Sequence, residues 1–478
     1  MMENRPVYCP ICGAANPEYE FRISEQRLMR CITCEILFSL PFSRNPNLFS
    51  CQDDLISGHS RTHYELNQKK TTTKDFTKLQ MSGLISGSRV LIEGPDSAEF
   101  FDLAMTKGVD LNITEYRDLK SGELDACVLF DRLGENSDPN EQLSRIHSLL
   151  VPEGLLFVTL PILESPEARK HRSNWAEFRK RRFVFFNTNT LAALLVRSGF
   201  HNLEIWREPN GVSVLCKKRT PARSEHKPRL SIILPVYNER ATFEQLINTV
   251  LQKTFEGLER EIVIVESNST DGSRDLVRQY ENYHDIKVIY EDRPKGKGHA
   301  VRNGLKHTSG DIVVIQDADL EYDIDDYDAL LEPILKYNRL FVLGSRHKGN
   351  WKMREFENRR MLSMIFNFGQ VFFTWLINVT CNVRLNDPFT MYKVFHRECL
   401  YGLYFESNRF DLDWEIVIKF IRKGFVPMEI PVNYVSRSFG EGKKVKPILD
   451  PLLWIVALIK YRYGPLYRHN QENNPDSV

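Results

Sequence analysis

Two aspartates one residue apart, Asp317-Ala318-Asp319, end the apolar run Asp311-Ile-Val-Val-Ile-Gln316. Paired carboxylates at the end of a buried strand suit a hard divalent cation held through oxygen, Mg2+ or Mn2+. Such a cation offsets the charge that develops on a departing diphosphate. A second acidic cluster, Phe410-Asp411-Leu-Asp413-Trp-Glu415, offers either a general base or a carboxylate that positions a substrate. If a helix begins at Asp413, residues two apart do not share a face, so only one of Asp413 and Glu415 points into the cleft. Capping of that helix by Asp413 is the plainer alternative. Four cysteines suggest another kind of site. Cys9-Pro-Ile-Cys12 and Cys31-Ile-Thr-Cys34 have the spacing of a four-cysteine zinc ribbon. Protein would fill all four zinc positions, so this Zn2+ is structural rather than catalytic.

The elements around the aspartates alternate strand and helix. Leu230–Tyr237, Glu261–Glu266, Ile286–Tyr290 and Asp311–Gln316 are apolar runs of the length expected of buried strands. Phe243, Leu246, Ile247 and Val250 recur at helical spacing, and Ser269-Thr-Asp271-Gly272 precedes another helix. This order predicts an α/β fold with an open, mostly parallel sheet, whose ligands sit beyond the carboxyl ends of the strands. Pro235–Glu239, Glu266–Asp271 and Asp317–Asp319 all fall at such ends and should converge.

The chain has 478 residues and a formal net charge of +1. The length suggests about three domains. The balanced charge excludes a global electrostatic case for nucleic acid. No apolar signal core and no run of ~20 apolar residues stands out. The paired cysteines read as metal ligands in a reducing compartment. The expectation is therefore a cytoplasmic protein, at most peripheral on the inner face of the cell membrane.

Between residues 71 and 218, Arg89–Gly94, Leu124–Phe130 and Pro152–Pro161 read as strands, and Asn140–Leu150 as a helix. With the Asp138-Pro139 turn, Leu149–Gly154 and Trp175 through Phe200, this stretch resembles class I S-adenosylmethionine-dependent methyltransferases that carry an N-terminal zinc ribbon. The resemblance implies a cofactor loop after the first strand and an acidic ribose ligand, for which Glu115 stands. The loop departs from the family. Glu93-Gly94-Pro95-Asp96-Ser97-Ala98 has one glycine, and its proline removes an N–H donor. The expected reading is a methyltransferase-like domain that has lost its cofactor. The expected organisation is a zinc ribbon at 1–42, this domain at 71–218, a linker at 219–228, an α/β domain at 229–463 and a flexible tail at 464–478.

The third segment resembles family 2 glycosyltransferases of the GT-A fold, in the branch that makes dolichyl- or polyprenyl-phosphate sugars. The residues that carry this are Leu234–Glu239, Val265–Gly272, Lys295–Arg302, Asp317–Asp319, Gly344-Ser-Arg346, Asp387–Phe395, Phe410–Glu415 and Glu429–Pro431. The resemblance implies a metal-dependent, inverting transfer from a nucleotide-diphosphate sugar. Asp317 and Asp319 would hold the metal, and Ala318 would line the donor. Pro235, Tyr237 and Glu239 would line base and ribose. Glu266 would stand for a base-contacting aspartate, although the family has a second acid where this chain has Ser267. Lys297 and Arg302 hold either phosphate oxygens or their own segment. Asp413, Glu415 and Asp319 form the candidate catalytic set. Arg346, Lys443 and Lys444 are candidates for an acceptor phosphate, and the acceptor is a polyprenyl phosphate or a glycan hydroxyl.

Within 361–378, the polar residues Ser363, Asn367, Gln370, Thr374 and Asn378 fall on one helical stripe, and the rest is apolar. With 451–462, this stretch needs cover from core, from a second copy in a homo-oligomer, or from a membrane surface. Two alternative readings involve the N-terminal half: it also methylates a sugar, or it is a non-catalytic docking module.

Overall fold

The computed structural model describes residues 7–15, 17–23, 26–40, 76–113, 119–180, 182–219, 227–346, 360–435 and 449–467, without the side chains of 360–368 and 449–453. Cys51, Glu115, Lys443, Lys444 and most of the linker and tail lie outside these residues. The chain divides into two compact units, Met1–Pro221 and Ala222–Val478.

In the first unit, β1 (Glu18–Ile23), β2 (Gln26–Arg30) and β3 (Leu37–Leu40) form an antiparallel ribbon. The second sheet contains β4 (Arg89–Glu93), β5 (Asn112–Ile113), β6 (Leu124–Phe130) and β7 (Leu150–Pro161). A short β8 (Val184–Phe185) follows, then β9 (Phe200–Arg207) and β10 (Gly211–Lys218). The order of the second sheet is β5-β4-β6-β7-β10-β9. Its first four strands pair in parallel, and β10 runs antiparallel to both neighbours. Helices α1 (Ser97–Thr106), α2 (Pro139–Leu149), α3 (Pro166–His171) and α4 (Thr188–Arg197) lie in the connections. Asp138, Ser165 and Asn187 cap α2, α3 and α4 by accepting from backbone N–H groups of the first turn. Phe76, Phe100, Phe130 and Phe157 build the core through edge and tilted ring contacts.

The ribbon is stitched into this unit. Strand β8 pairs with β3, so the ribbon's fourth strand comes from a segment 140 residues downstream. Thr190 Oγ1 donates to the Cys34 carbonyl at 2.8 Å, and Asn140 Nδ2 to that of Pro10 at 2.8 Å. Leu28 and Leu37 share a buried cluster with Trp175, Phe178 and Phe185.

The second unit has a seven-stranded sheet. Its strands are β11 (Arg229–Val236), β12 (Glu259–Glu266), β13 (Ile286–Tyr290), β14 (Ile312–Ile315), β15 (Phe341–Ser345), β16 (Lys393–His396) and β17 (Met428–Pro431). The order is β13-β12-β11-β14-β16-β15-β17. Strands β11 to β14 pair in parallel, and β16 runs antiparallel to β14 and β15. The apolar runs read as strands are those of β11–β14, with ends that differ by no more than two residues. The helices are α5 (Phe243–Gln252), α6 (Ser273–Arg278), α7 (Lys297–His307), α8 (Tyr327–Lys336), α9 (Arg360–Cys381), α10 (Leu412–Lys423) and α11 (Leu449–Tyr463).

Phe373 and Ile377 of α9, Trp414 and Ile418 of α10, and Ala457, Leu458 and Tyr461 of α11 pack into one cluster. The described part of the polar stripe on α9 faces inward. Gln370 Nε2 donates to Asp387 at 3.2 Å, and Asn378 pairs with both backbone groups of Leu385 at 2.8 Å. The apolar residues Val371, Phe372, Trp375 and Val379 are exposed instead, as are Ile455, Val456, Ile459 and Tyr463 of α11. Among the described residues, no helix is long and apolar enough to cross a membrane.

Candidate functional site

Asp317 and Asp319 follow β14, at the carboxyl edge of the parallel strands. Five charged groups from four elements meet there: Asp317, Asp319, Lys297, Lys393 and Asp413. Lys297, the first residue of α7, reaches Asp317 and pairs with it. Lys393, the first residue of β16, is fully buried and pairs with Asp413 of α10 at 2.7 Å. Burial pushes the Asp317 carboxyl up to about 6, against the Lys297 ammonium, while Asp319 and Asp413 add repulsion. Burial pushes the Lys393 ammonium down, and Asp413 offsets only part of that. Three carboxylates face two ammonium groups here, and the excess negative charge would draw a divalent cation to Asp317 and Asp319. The donor set fits such an ion.

The structure separates the residues expected here. Asp413 turns toward Lys393 and the aspartates. Glu415 does not, and this corrects its place in the catalytic set. It is fully buried and accepts from the backbone N–H groups of Glu406 and Ser407 at 2.9–3.1 Å and from Lys419 at 2.6 Å. Its charge orders the 405–409 loop. Arg302 holds its surroundings rather than an open phosphate site: its guanidinium donates to the Ser407 and Phe405 carbonyls at 3.0 Å and also bonds Asn408. Gly296 and Gly298 serve the same loop. A Cβ at Gly296 would lie 2.3 Å from the Asn408 carbonyl oxygen, and one at Gly298 would lie 2.6 Å from that of Arg409. Arg346 is no open acceptor clamp either. It grips Asp387 with Nε and Nη2 at 2.8 and 2.7 Å, and its backbone N–H reaches the same carboxylate.

On the other side of β14, Pro235 is the penultimate residue of β11, with Tyr237 and Glu239 just beyond the strand. Thr242 Oγ1 donates to the Ala318 carbonyl at 2.7 Å and lies 3.2 Å from the Glu239 carboxylate, which ties this loop to the aspartate turn. Glu266 is fully buried and accepts from the N–H groups of Asn268 and Ser269. It shapes the 267–271 loop from beneath. The sequence reading missed Lys393, although a lysine between the apolar neighbours of Tyr392-Lys-Val-Phe395 was its signal. It also left Glu291 and His299 unassigned.

The first unit holds two further candidate groups. The Sγ atoms of Cys9, Cys12, Cys31 and Cys34 all lie within 4.8 Å of one another, a donor set that could hold one tetrahedral metal ion. At the ends of β4 and β6, the described residues are engaged within the protein. Gly94 has φ +117°, and a Cβ there would lie 1.8 Å from the Phe130 carbonyl oxygen, so this glycine serves packing against β6. Asp131, just past β6, is taken by Arg182 at 2.6 and 2.8 Å, and Glu177 joins the same guanidinium at 3.0 Å.

Comparison with known proteins agrees with the second unit's geometry. Residues 231–397 match the model of glycosyl transferase family 2. A dolichol-phosphate mannosyltransferase of Pyrococcus furiosus is 30% identical over 234 residues, covering 49% of this chain and 64% of its own length. A dolichyl-phosphate β-glucosyltransferase of Trichomonas vaginalis is 28% identical over 230 residues, covering 45% of this chain and 68% of its own length. Among solved structures, glucosyl-3-phosphoglycerate synthase of Mycobacterium tuberculosis, crystallised with Mn2+, UDP and phosphoglyceric acid, aligns at 20% identity with a TM-score of 0.37. That alignment covers 50% of this chain and 80% of the synthase. Residues 231–397 of the C-terminal unit carry a glycosyl transferase family 2 domain, on a mixed, largely parallel α/β sheet.

Proposed function

We propose that the C-terminal unit moves a sugar from a nucleotide-diphosphate donor to a polyprenyl phosphate, with inversion, using Mg2+ or Mn2+ held by Asp317 and Asp319. The observation that carries this is the convergence of Asp317, Lys297, Asp413 and Lys393 at the carboxyl ends of the parallel strands. The metal, when bound, stabilises the charge that builds on the leaving diphosphate. Lys297 lies where it can turn from Asp317 to a phosphate oxygen. A phosphate acceptor is already anionic and needs no general base, so Asp413 orients the sugar.

A lipid acceptor accounts for two more features. A cavity of about 350 Å³ lies between the 406–411 loop and α11, lined in part by Arg409, Phe410, Trp454 and Lys460. The carboxylates Glu406 and Asp411 share this wall, and Lys460 pairs with Glu406 at 3.0 Å, so Arg409 is the cation left to meet a phosphate, with Phe410 and Trp454 as apolar cover for a prenyl chain. The exposed apolar faces of α9 and α11 suit the surface of a membrane that holds such a lipid. The expectations of a cytoplasmic place and of a homo-oligomer stay with this reading as proposals.

For the first unit, we infer a scaffold stabilised by Zn2+ on the four cysteines. The Asp131–Arg182–Glu177 network, where a cofactor would lie, favours the docking-module reading over sugar methylation.

The test is turnover of UDP- and GDP-sugars with and without a polyprenyl phosphate, in Mn2+. Asp319→Asn should lower the rate by on the order of 10²-fold or more. Wild-type turnover by that variant would sink the metal role, and transfer to a sugar hydroxyl alone would sink the acceptor.

A further inference from the structure

The ends of β12 and β13 carry a buried acid–histidine pair that the reaction chemistry does not use. Glu291 directly follows β13, is 4% exposed, and donates its backbone N–H to the Glu266 carbonyl at 2.8 Å. Its Oε2 accepts from Ser267 Oγ at 2.8 Å, and its Oε1 lies 2.5 Å from His299 Nδ1. A carboxylate in this position accepts, so Nδ1 is the donor, and in the tautomer with its proton on Nδ1 the ring offers Nε2 as an acceptor. The His299 side chain is 27% exposed, and among the described residues Nε2 has no hydrogen-bond partner. The backbone of His299 is fixed as well, its N–H donating to the Asn408 carbonyl at 3.1 Å.

The place of this pair is set by the sheet. Strands stand ~4.8 Å apart, and β13 is three strands from β14, so Glu291 lies about 15 Å from the metal aspartates. A diphosphate held at β14 leaves its nucleoside to run along the strand ends. On the β16 side, the ion pairs Lys393–Asp413 and Arg346–Asp387 are buried. On the β11 and β12 side, the ends open into polar loops. The nucleoside therefore runs toward Glu266 and Ser267. The Glu266 carboxylate is consumed by loop N–H groups, and the Ser267 hydroxyl by Glu291. His299, paired through Nδ1 alone, offers an acceptor at this end.

Building on the donor reading above, we propose that His299, oriented by Glu291, selects the base of the donor nucleotide. Its Nε2 accepts a ring N–H, so it favours uracil and guanine, which carry one on the pairing edge. Cytosine and adenine present a bare ring nitrogen there and leave Nε2 facing a lone pair. The acid supplied by the strand next to Ser267 acts through the histidine, as a positioning residue.

The experiment measures the affinity of the full-length protein for UDP, GDP, CDP and ADP with Mn2+, by titration calorimetry. Wild type should bind UDP or GDP at least about tenfold more tightly than CDP and ADP, the worth of one hydrogen bond kept or lost. His299→Ala should bring that ratio to within about threefold and leave CDP and ADP affinities near their wild-type values. Glu291→Gln, which keeps the shape, should narrow the ratio in the same way, an effect that loss of fold would not give. A ratio unchanged in His299→Ala, or an equal loss for all four nucleotides, overturns this inference alone. If wild type binds none of the four, the donor reading falls with it.

Discussion

Substituting Lys393 by Met removes the cation from a buried pair. Lys393 is fully buried and Asp413 is 7% exposed, and their atoms stand 2.7 Å apart. Methionine fills similar space, so the change leaves no large cavity. It leaves the Asp413 carboxylate without its nearest cation, deep enough that water cannot replace it. Removing one partner of a buried pair costs about 3–5 kcal/mol. At about 2–4 °C per kcal/mol for a unit of this size, melting should fall by roughly 6–20 °C. The measurement is calorimetry of the full chain, following the transition of the C-terminal unit. The companion variant replaces both partners, Lys393→Met with Asp413→Leu. It should recover most of the lost stability, because two apolar groups of similar volume avoid the desolvation that the pair must overcome. Its sugar transfer should stay abolished if Asp413 orients the donor. A single variant within about 0.5 kcal/mol of wild type would refute the reasoning. So would a double variant no more stable than the single one.

The cysteine quartet predicts one equivalent of bound zinc by elemental analysis. Cys31→Ser should lose it, along with several degrees of melting temperature in the N-terminal unit. Retained zinc in that variant would count against the site. Trp375→Asp on the exposed face of α9 should weaken binding to anionic vesicles by about tenfold or more, with unchanged turnover of a short, water-soluble polyprenyl phosphate. Equal sedimentation of both proteins with vesicles would remove the membrane reading. Burial opposes the charge on Glu261, but Ser231 and Ser309 outweigh it by donating to the carboxylate, and its pKa falls below the ordinary 4.5. A depressed pKa contributes stability above 4.5 that is lost as pH falls through the folded value. The stability gap between wild type and Glu261→Gln should therefore shrink between pH 6 and pH 3. A constant gap would assign it to packing.

The parallel half of the second sheet was legible because buried strands carry continuous apolar runs, and β11–β14 each do. Their ends then located Pro235, Glu266 and Asp317 by topology alone. The roles of Arg302 and Glu415 were not legible. Both are decided by the 405–409 loop, whose carbonyls and N–H groups they serve, and in one case the loop lies about a hundred residues away in sequence. A charged residue beside a glycine-rich turn looks alike in sequence whether it faces phosphate or backbone. Strand β8 is too short to show a period, so nothing in the spacing of residues marks it as the ribbon's fourth strand.

Helix α9 shows how a pattern can be read correctly and its meaning still depend on the fold. The polar stripe is visible from spacing, and on an ordinary surface helix it would face water. Here Gln370 and Asn378 bond Asp387 and the Leu385 backbone, because the turn at 385–387 presents polar groups that need partners. Turning the stripe inward forces Phe372 and Trp375 outward, beside the apolar face of α11. Water is a poor neighbour for two such faces, and the cavity beside α11 is lined by Arg409 and by the Lys460–Glu406 pair, with Asp411. It is the apolar platform, rather than the mixed charge of the cavity, that matches a lipid-borne acceptor at a membrane surface better than a free sugar acceptor. On this account, the inverted helix is what narrows the choice of acceptor.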